Sequence, residues 1–291
     1  MHGVLVVDKP SGPTSHDVVA RARRVYGTRE IGHAGTLDPM ASGVLVLMIG
    51  EACKLSQYLT AASKRYLATV GFGRSTDTLD ALGQTTEERI LPAGWLDQAA
   101  LAAALSLESQ RESQVPPAVS AIQVDGERAY RAARRGQPLE LPARGVSLQD
   151  LRLLSANDHG VSLDLRVSKG YYVRALARDL GVALGVPAHL AELRRVASGT
   201  FTLDDAATWP LDAARPVMPT VIAASRALPT ATLNQEGVTR ARCGKKLGPE
   251  HFMRSPSDSG VSAWLSEQGS LVALGQPEAS GEQRVVRGFQ P

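Results

Sequence analysis

Residues 31–47, IGHAGTLDPMASGVLVL, combine three glycines, a histidine and an Asp-Pro step just before a run of branched apolar residues. The run from Val44 to Ile49 predicts a buried strand, because its apolar residues are continuous rather than alternating. The proline after Asp38 disfavours the helical conformation at that aspartate and predicts a turn. Asp38 therefore either closes this turn with its own side chain or supplies a carboxylate for chemistry. For an isolated Asp-Pro step the turn is the commoner outcome.

The residues on either side of this stretch predict a mixture of strands and helices. Thr14 to Asp17 form a capping-box pattern, which predicts a helix that ends at Gly27. Alternating apolar residues from Val161 to Val167 predict a half-buried strand. Further strands are predicted at residues 3–8, 43–50 and 65–73, and helices after Asp97, over residues 127–135 and after residue 174. Strands and helices separated by hairpin-length gaps favour an α+β fold over a doubly wound α/β sheet.

The composition changes near residue 210. Prolines at 210, 216, 219 and 229 punctuate the chain and predict a hinge region. Short strand patterns, VSAWLS and SLVALG, follow among glycine, serine and proline. We therefore predict two domains, a larger one over residues 1–228 and a small, mostly β domain over residues 229–291. A chain of 291 residues is long enough for both.

Several classes of protein are disfavoured by the sequence. The longest apolar run is too short to span a bilayer, and no signal peptide is recognised, so a cytoplasmic location is expected. Cys53 and Cys243 lie far apart and in no metal-ligand spacing, which fits reduced thiols. Phosphate-loop, dinucleotide-binding, metalloprotease and serine-hydrolase motifs are absent, so we predict no metal and no cofactor.

Basic residues are clustered, although the formal net charge is only +3. Such clusters on a nearly neutral chain favour a polyanionic partner, RNA or DNA. The alternative is a set of solvated helix faces, and for any one cluster that explanation is at least as good. The clusters contain Arg21, Arg23 and Arg24; Arg128, Arg131, Arg134 and Arg135; Arg194 and Arg195; and Arg240, Arg242, Lys245 and Lys246.

Five segments, taken in order, carry a resemblance to a known family. They read DKPSGPTSHDVV, GHAGTLDPMASGVL, KRYLATVGFGRSTDTLDALG, VPPAVSAIQVDGERAYRAARRG and SKGYYVRALARDLG, and they span about residues 3–200. In sequence and in order they resemble the signature blocks of the TruB family, the bacterial tRNA pseudouridine-55 synthases. The C-terminal region matches more weakly, and its position and β character are similar to the small PUA-type RNA-binding domain of such enzymes.

The resemblance implies a fold and a reaction. The fold is an α+β catalytic domain on a mixed, mainly antiparallel sheet, followed by a PUA-like domain. The reaction is the cofactor-free isomerisation of uridine 55 in the T-arm of tRNA, by a stand-alone enzyme that is expected to be a monomer. The family's essential aspartate falls on Asp38, and its other catalytic residues fall on Tyr66 and Arg174. Substrate-binding residues fall on His33, Tyr66, Tyr172 and Leu193, and Lys9 and Pro10 match a support for the catalytic loop.

Each implied role has a chemical reason. Asp38 can act as a nucleophile at the sugar C1′, with Arg174 fixing its orientation. The target base must leave the stack, so His33 can fill the vacated space while Tyr66 lies against the flipped uracil. Tyr172 and Leu193 can then wall the pocket.

The sequence departs from the family pattern at two positions, Val119 in place of a tyrosine and Gln123 in place of a lysine. These two departures put in doubt a packing contact or an RNA contact at Val119 and Gln123. Three alternatives remain open. They are a synthase for another RNA, an RNA-binding or tRNA-folding module with a vestigial catalytic loop, and an N-glycosidase. The last would need a water-activating base that the sequence does not reveal.

Overall fold

The computed structural model describes residues 1–120, 122–124, 126–137, 139–256 and 259–290. Two residues of the fourth resembling segment, Ala121 and Asp125, lie outside this part of the chain. The helices are α1 (Ser15–Tyr26), α2 (Ser56–Ala61), α3 (Gln98–Ser109), α4 (Ala129–Arg134), α5 (Val173–Leu184), α6 (Thr220–Ala227) and α7 (Gln235–Arg242), and 3-10 turns cover Gly50–Leu55, Leu203–Asp205 and Pro249–His251.

The strands fall into a large set before residue 220 and a smaller set after it. The first set is β1 (Gly3–Lys9), β2 (Ile31–His33), β3 (Ser42–Ile49), β4 (Lys64–Phe72), β5 (Arg74–Thr76), β6 (Thr85–Glu88), β7 (Ser113–Gln114), β8 (Gln123–Val124), β9 (Glu127–Arg128), β10 (Arg144–Gly145), β11 (Leu148–Asn157), β12 (Gly160–Val167), β13 (Ala188–Ser198), β14 (Phe201–Thr202), β15 (Ala206–Thr208) and β16 (Met218–Pro219). The second set is β17 (Thr230–Leu233), β18 (Phe252–Arg254), β19 (Ser262–Leu265), β20 (Leu271–Pro277) and β21 (Gln283–Gly288).

The main sheet confirms the predicted α+β class. Among the described residues its order is β11-β12-β4-β13-β3-β1-β15, with β14, β16 and β2 pairing on β13, β1 and β3. Most neighbours are antiparallel, and the parallel pairs are β1 with β15 and β13 with β3. The central strands β1 and β3 are buried on both faces, which explains why their sequences are continuously apolar.

Helices α1 and α3 begin at the caps that the sequence predicts. Thr14 and Asp17 cap the first turn of α1 reciprocally, and Gly27 ends that helix in the left-handed conformation. Asp97 accepts a hydrogen bond from the Ala100 amide and caps α3. The short basic helix is present as α4, but it starts at residue 129, because residues 127–128 pair with β8 instead.

One glycine allows the strands beneath the site to meet. Gly43 has φ 103°, and a Cβ atom there would lie 2.1 Å from the carbonyl oxygen of Arg195. Any side chain would therefore push β13 away from β3 at the point where their parallel pairing begins. The glycine in the segment MASGVL is thus required by close packing of two backbones.

The predicted hinge near residues 210–230 is wrong. Met218 pairs with Val4 on the main sheet, and α6 buries Ala223 and Ala224 completely. These alanines join a buried cluster that also contains residues of β1 and β3 and of the second sheet. The second sheet has the order β18-β17-β19-β20-β21 and carries its own small core around Trp264. Within the described part of the chain, none of the helices has the length and apolar character needed to cross a membrane.

Candidate active site

The loop between β2 and β3 holds Asp38 at the start of a turn. The Asp38 carbonyl accepts a hydrogen bond from the Ala41 amide at 3.1 Å, with Pro39 at the second position, where its fixed φ suits a turn. The Pro39 carbonyl accepts from the Gly12 amide at 2.8 Å and from Lys9 Nζ at 3.4 Å. The main chain of Asp38 therefore closes a turn while its carboxylate is left available.

Lys9 lies fully buried under this loop. Its ammonium donates to the carbonyl oxygens of Pro10 and Pro13, each at 2.8 Å, in addition to Pro39. Burial lowers the pKa of Lys9 to about 8, and the nearby Asp38 carboxylate partly opposes that shift. These are the contacts that the sequence led us to expect of a residue supporting the loop.

Arg174, in the first turn of α5, reaches the Asp38 carboxylate. Its Nη2 donates to Asp38 Oδ1 at 3.2 Å, and its Nε lies 2.9 Å from Oδ2. Nη2 also donates to the Val119 carbonyl at 3.0 Å, and Nη1 to the Thr78 carbonyl at 2.9 Å. The Arg174 side chain is 6% exposed and that of Asp38 is 33% exposed. A buried, fixed guanidinium thus holds a carboxylate that remains open to a ligand.

A second carboxylate at this arginine was not singled out from the sequence. Asp80 is buried, and its Oδ2 lies 3.8 Å from Arg174 Nε. Its Oδ1 accepts from the Thr78 hydroxyl at 2.8 Å and from the Leu82 amide at 3.0 Å. The segment STDTLDALG, dense in turn-forming polar residues within a resembling block, was the available signal. Asp80 supports Arg174 as a second, buried acidic partner beside the ligand-accessible carboxylate of Asp38.

His33 ends β2 with its ring partly buried beside another histidine. The His33 and His16 rings meet edge to face, with centroids 5.7 Å apart, and the buried His33 Nδ1 has no hydrogen-bond partner. Burial, reinforced by the charges of His16 and Arg195, lowers the pKa of His33. A neutral, apolar-faced ring is therefore favoured on this loop at neutral pH.

Tyr66 and Leu193 belong to the wall of the same core. Tyr66 lies in β4, and Leu193 in β13 pairs with Ala68 of β4. Both side chains are largely buried in the cluster that also contains Leu37 and Met40, the apolar residues that bracket Asp38 and Pro39. The sheet therefore brings these two predicted residues to the level of the Asp38 loop.

Tyr172 immediately precedes α5 and is its N-cap residue, two positions before Arg174. Its ring packs against a small, separate apolar cluster formed by Ile122, Ala129 and Leu141. Burial raises the pKa of the Tyr172 hydroxyl. Tyr172 thus connects the residues after 120 with the helix that carries Arg174.

One of the predicted basic clusters is not a surface feature. Arg195 is 1% exposed and donates to the carbonyl oxygens of Val44 at 2.6 Å and Gly35 at 3.0 Å. Its neighbour Arg194 forms an ion pair with Asp8 at 2.8 Å. Neighbouring residues of a strand face opposite sides of the sheet, so Arg195 points inward and holds the Asp38 loop from below. The side chain of Arg134, in another cluster, lies outside the described part of the structure.

Two cavities lie elsewhere in the described part of the structure. A cavity of about 710 Å³ lies between α3 and β11, and one of about 360 Å³ lies between the β5–β6 hairpin and the end of α5. None of the predicted site residues lines either cavity. Among the residues described, no group of three or more histidine, cysteine or acidic side chains is arranged to hold a metal ion.

The chain matches known proteins over its whole length. The model of the family described as "TruB family pseudouridylate synthase (N terminal domain)" matches residues 23–173, and "tRNA pseudouridylate synthase B C-terminal domain" matches residues 174–213. A curated protein of Thermobifida fusca named tRNA pseudouridine synthase B is 44% identical over 98% of this chain and 97% of its own. Its namesake in Nocardia farcinica is 45% identical over 94% of this chain and 88% of its own.

The fold has a solved counterpart. A structure described as "Structure of H/ACA RNP bound to a substrate RNA containing 2'-deoxyuridine" superposes with a TM-score of 0.74, at 24% identity, over 99% of this chain and 85% of that chain. At that identity the likeness supports the fold alone. The family match and the curated relatives decide the classification: this chain belongs to the TruB family of pseudouridylate synthases.

Proposed function

We propose that the protein is a tRNA pseudouridine synthase that isomerises the uridine at position 55 in the T-loop, without a cofactor. Its membership of the TruB family and the name of its curated relatives, tRNA pseudouridine synthase B, support the substrate class. The observation that carries the proposal is the pair of Asp38 and Arg174, in which a buried guanidinium fixes an accessible carboxylate.

The chemistry requires one such carboxylate. The N1–C1′ bond of uridine breaks, the ring turns, and a C5–C1′ bond forms; C5 then loses its proton and N1 gains one, so substrate and product are isomers. Asp38 is proposed to act as the nucleophile at C1′ while Arg174 holds the carboxylate in place. Its oxygen bonds to C1′ as the N1–C1′ bond breaks, and that oxygen–C1′ bond breaks again when C5 bonds to C1′, which restores the carboxylate. Fixed donors at the carboxylate cost no reorganisation during the reaction, which is their advantage over water.

The remaining site residues are assigned to the flipped nucleotide. His33, with its neutral ring on the loop, is proposed to occupy the space that the base leaves, while Tyr66 stacks against the uracil. Tyr172 and Leu193 form the apolar sides of the pocket, which exclude water that would otherwise hydrolyse the detached sugar. Base stacking on an aromatic ring contributes about 1–3 kcal/mol, enough to retain a detached ring.

The assignment of separate functions to two domains of the chain is also a proposal. Residues 1–228 form the catalytic domain, and residues 229–291 form a PUA-like domain that contacts tRNA. The separate five-stranded sheet and its own core support this division. We further propose that the single chain acts as a monomer in the cytoplasm and needs no protein partner to modify the T-arm.

Incubation with an unmodified tRNA transcript tests the function directly. Carbodiimide treatment followed by primer extension should reveal a single new stop that corresponds to pseudouridine at position 55, and a transcript with cytidine at that position should give none. Modification of a different RNA only would identify a synthase of other specificity. Binding without conversion would identify an RNA-folding module, and strand cleavage by aniline at position 55 would identify an N-glycosidase.

A further inference from the structure

We propose that Gln114 is a positioning residue for the reaction, which fixes the main chain of Tyr172 at the start of α5 and thereby the orientation of Arg174. This inference rests on the proposed function. Gln114 ends β7 with its side chain buried, at 2% exposure. Its Oε1 accepts from the Tyr172 amide at 2.9 Å, and its Nε2 donates to the Tyr172 carbonyl at 3.1 Å. Both ends of one buried amide are thus used on the main chain of a single residue.

Gln114 contacts Tyr172, the residue at which helix α5 begins. Tyr172 is the N-cap of α5, and its own side chain forms no capping hydrogen bond. The Tyr172 carbonyl accepts from the amides of Ala175 at 3.0 Å and Leu176 at 3.2 Å, so it already forms the first helical hydrogen bonds. A displacement of this peptide would move Arg174, only two residues further on, with the helix.

The segment after Gln114 continues to follow the same helix. Arg178, one turn beyond Arg174, donates to the Val115 carbonyl at 3.1 Å, and Arg174 donates to the Val119 carbonyl. The two prolines between these carbonyls are buried, and proline restricts the backbone. Residues 114–119, which we call the docking segment, therefore lie along the first turns of α5 at three points.

Arg174 forms hydrogen bonds both with the docking segment and with the reacting carboxylate of Asp38. Arg174 Nη2 donates both to Val119 on the docking segment and to Asp38 on the catalytic loop. The hydrogen bonds of the Gln114 side chain go to Tyr172, so its influence on Asp38 passes through α5. The bond at Val119 uses the main chain, which explains why the departure from the family's tyrosine at this position leaves the contact in place.

Two variants separate positioning from simple structural support. Gln114→Met keeps the volume and removes both hydrogen bonds, and kcat is expected to fall at least about tenfold while KM changes less than about twofold. Gln114→Glu keeps the acceptor but turns a charged oxygen toward the Tyr172 carbonyl. When protonated, the acid again offers one donor and one acceptor, so its kcat relative to the natural protein should recover as the pH falls. Gln114→Met should show no such recovery.

The controls keep the inference open to refutation. Gln110→Met, at an exposed glutamine that follows α3, should leave kcat unchanged. Hydrogen exchange gives a readout independent of activity: Gln114→Met should lose protection over residues 172–178 and keep it in β1 and β3. The inference would be overturned if Gln114→Met left kcat unchanged or altered only KM. It would also be overturned if the loss of activity only followed the unfolded fraction, or if hydrogen exchange at residues 172–178 were unchanged. If the natural protein forms no pseudouridine, the proposed function fails, whereas the exchange result still decides whether Gln114 fixes the start of α5.

Discussion

Replacing Arg174 by lysine tests how the catalytic carboxylate is held. The guanidinium reaches Asp38 with two nitrogens and the carbonyls of Thr78 and Val119 with two donors. Lysine retains the positive charge but offers one nitrogen, which cannot occupy these separate directions at once. We therefore expect the carboxylate to lose its fixed orientation while the net charge of the site stays the same.

The size of the effect follows from the hydrogen bonds that lysine cannot form. A hydrogen bond to a charged group contributes about 1.5–3 kcal/mol, and the single nitrogen of lysine cannot reproduce both the Nη2 hydrogen bond to Oδ1 and the close ionic contact of Nε with Oδ2. Since about 1.4 kcal/mol corresponds to a tenfold change in rate, loss of one of these two contacts should lower kcat roughly 10- to 100-fold. We assign Arg174 no direct contact with the substrate, so KM should change much less than kcat.

Release of tritium from tRNA labelled at C5 of uridine, under single-turnover conditions, measures this rate. Arg65→Lys is the matched control, because Arg65 also forms a two-point pair with an aspartate, Asp164, at 2.8 and 2.6 Å. Arg65 neighbours Tyr66 in β4, so its side chain faces the other side of the sheet. Equal rates for Arg174→Lys and the natural protein would refute the orienting role. Equal losses in both variants would show a general effect of weakening an Arg–Asp pair.

Two further predictions concern the catalytic loop. Lys9→Met should lower the free energy of unfolding by about 1–3 kcal/mol, because the partly buried carbonyls of Pro10 and Pro13 lose their donor. Urea unfolding at pH 7 measures this free energy, and a midpoint equal to that of Lys245→Met would contradict the prediction. His33→Ala should weaken binding of a fluorescent T-arm in stopped-flow more than it changes the melting temperature. The pKa of His33 is lowered in the folded state, so the unfolded chain binds more protons as the pH falls through about 6.5 and stability decreases. His33→Ala should reduce that decrease, and an identical pH dependence would argue against the buried neutral ring.

Local signals in the sequence were sufficient for much of the fold. The capping pattern at Thr14 and Asp17, the cap at Asp97 and the continuous apolar run of β3 each depend on neighbours in the chain, and each appears as expected. The predicted hinge failed because tertiary packing decided the outcome. Prolines suggested a flexible connection, yet Ala223 and Ala224 are small enough to pack a helix against the sheet.

Some residues of the site were predicted from the sequence and others were missed, for a related reason. The pairing of Arg174 with Asp38 was expected and is present, because a resembling block carried each residue. Asp80 and Gln114 were not assigned roles, since their contacts with α5 join segments far apart in sequence. The turn-forming segment around Asp80 was a weak signal, and no local pattern indicates Gln114. Arg195 was placed on the surface although it is buried, because charge alone does not tell which face of a strand a residue occupies.

The proposed reaction depends most directly on the carboxylate of Asp38, and Asp38→Asn removes its negative charge with almost no change in shape. Conversion of uridine 55 in an unmodified tRNA transcript, measured by carbodiimide and primer extension beside a filter-binding assay, is the decisive measurement. The account predicts no detectable pseudouridine and nearly unchanged tRNA binding. Substantial pseudouridine formation by Asp38→Asn would contradict it.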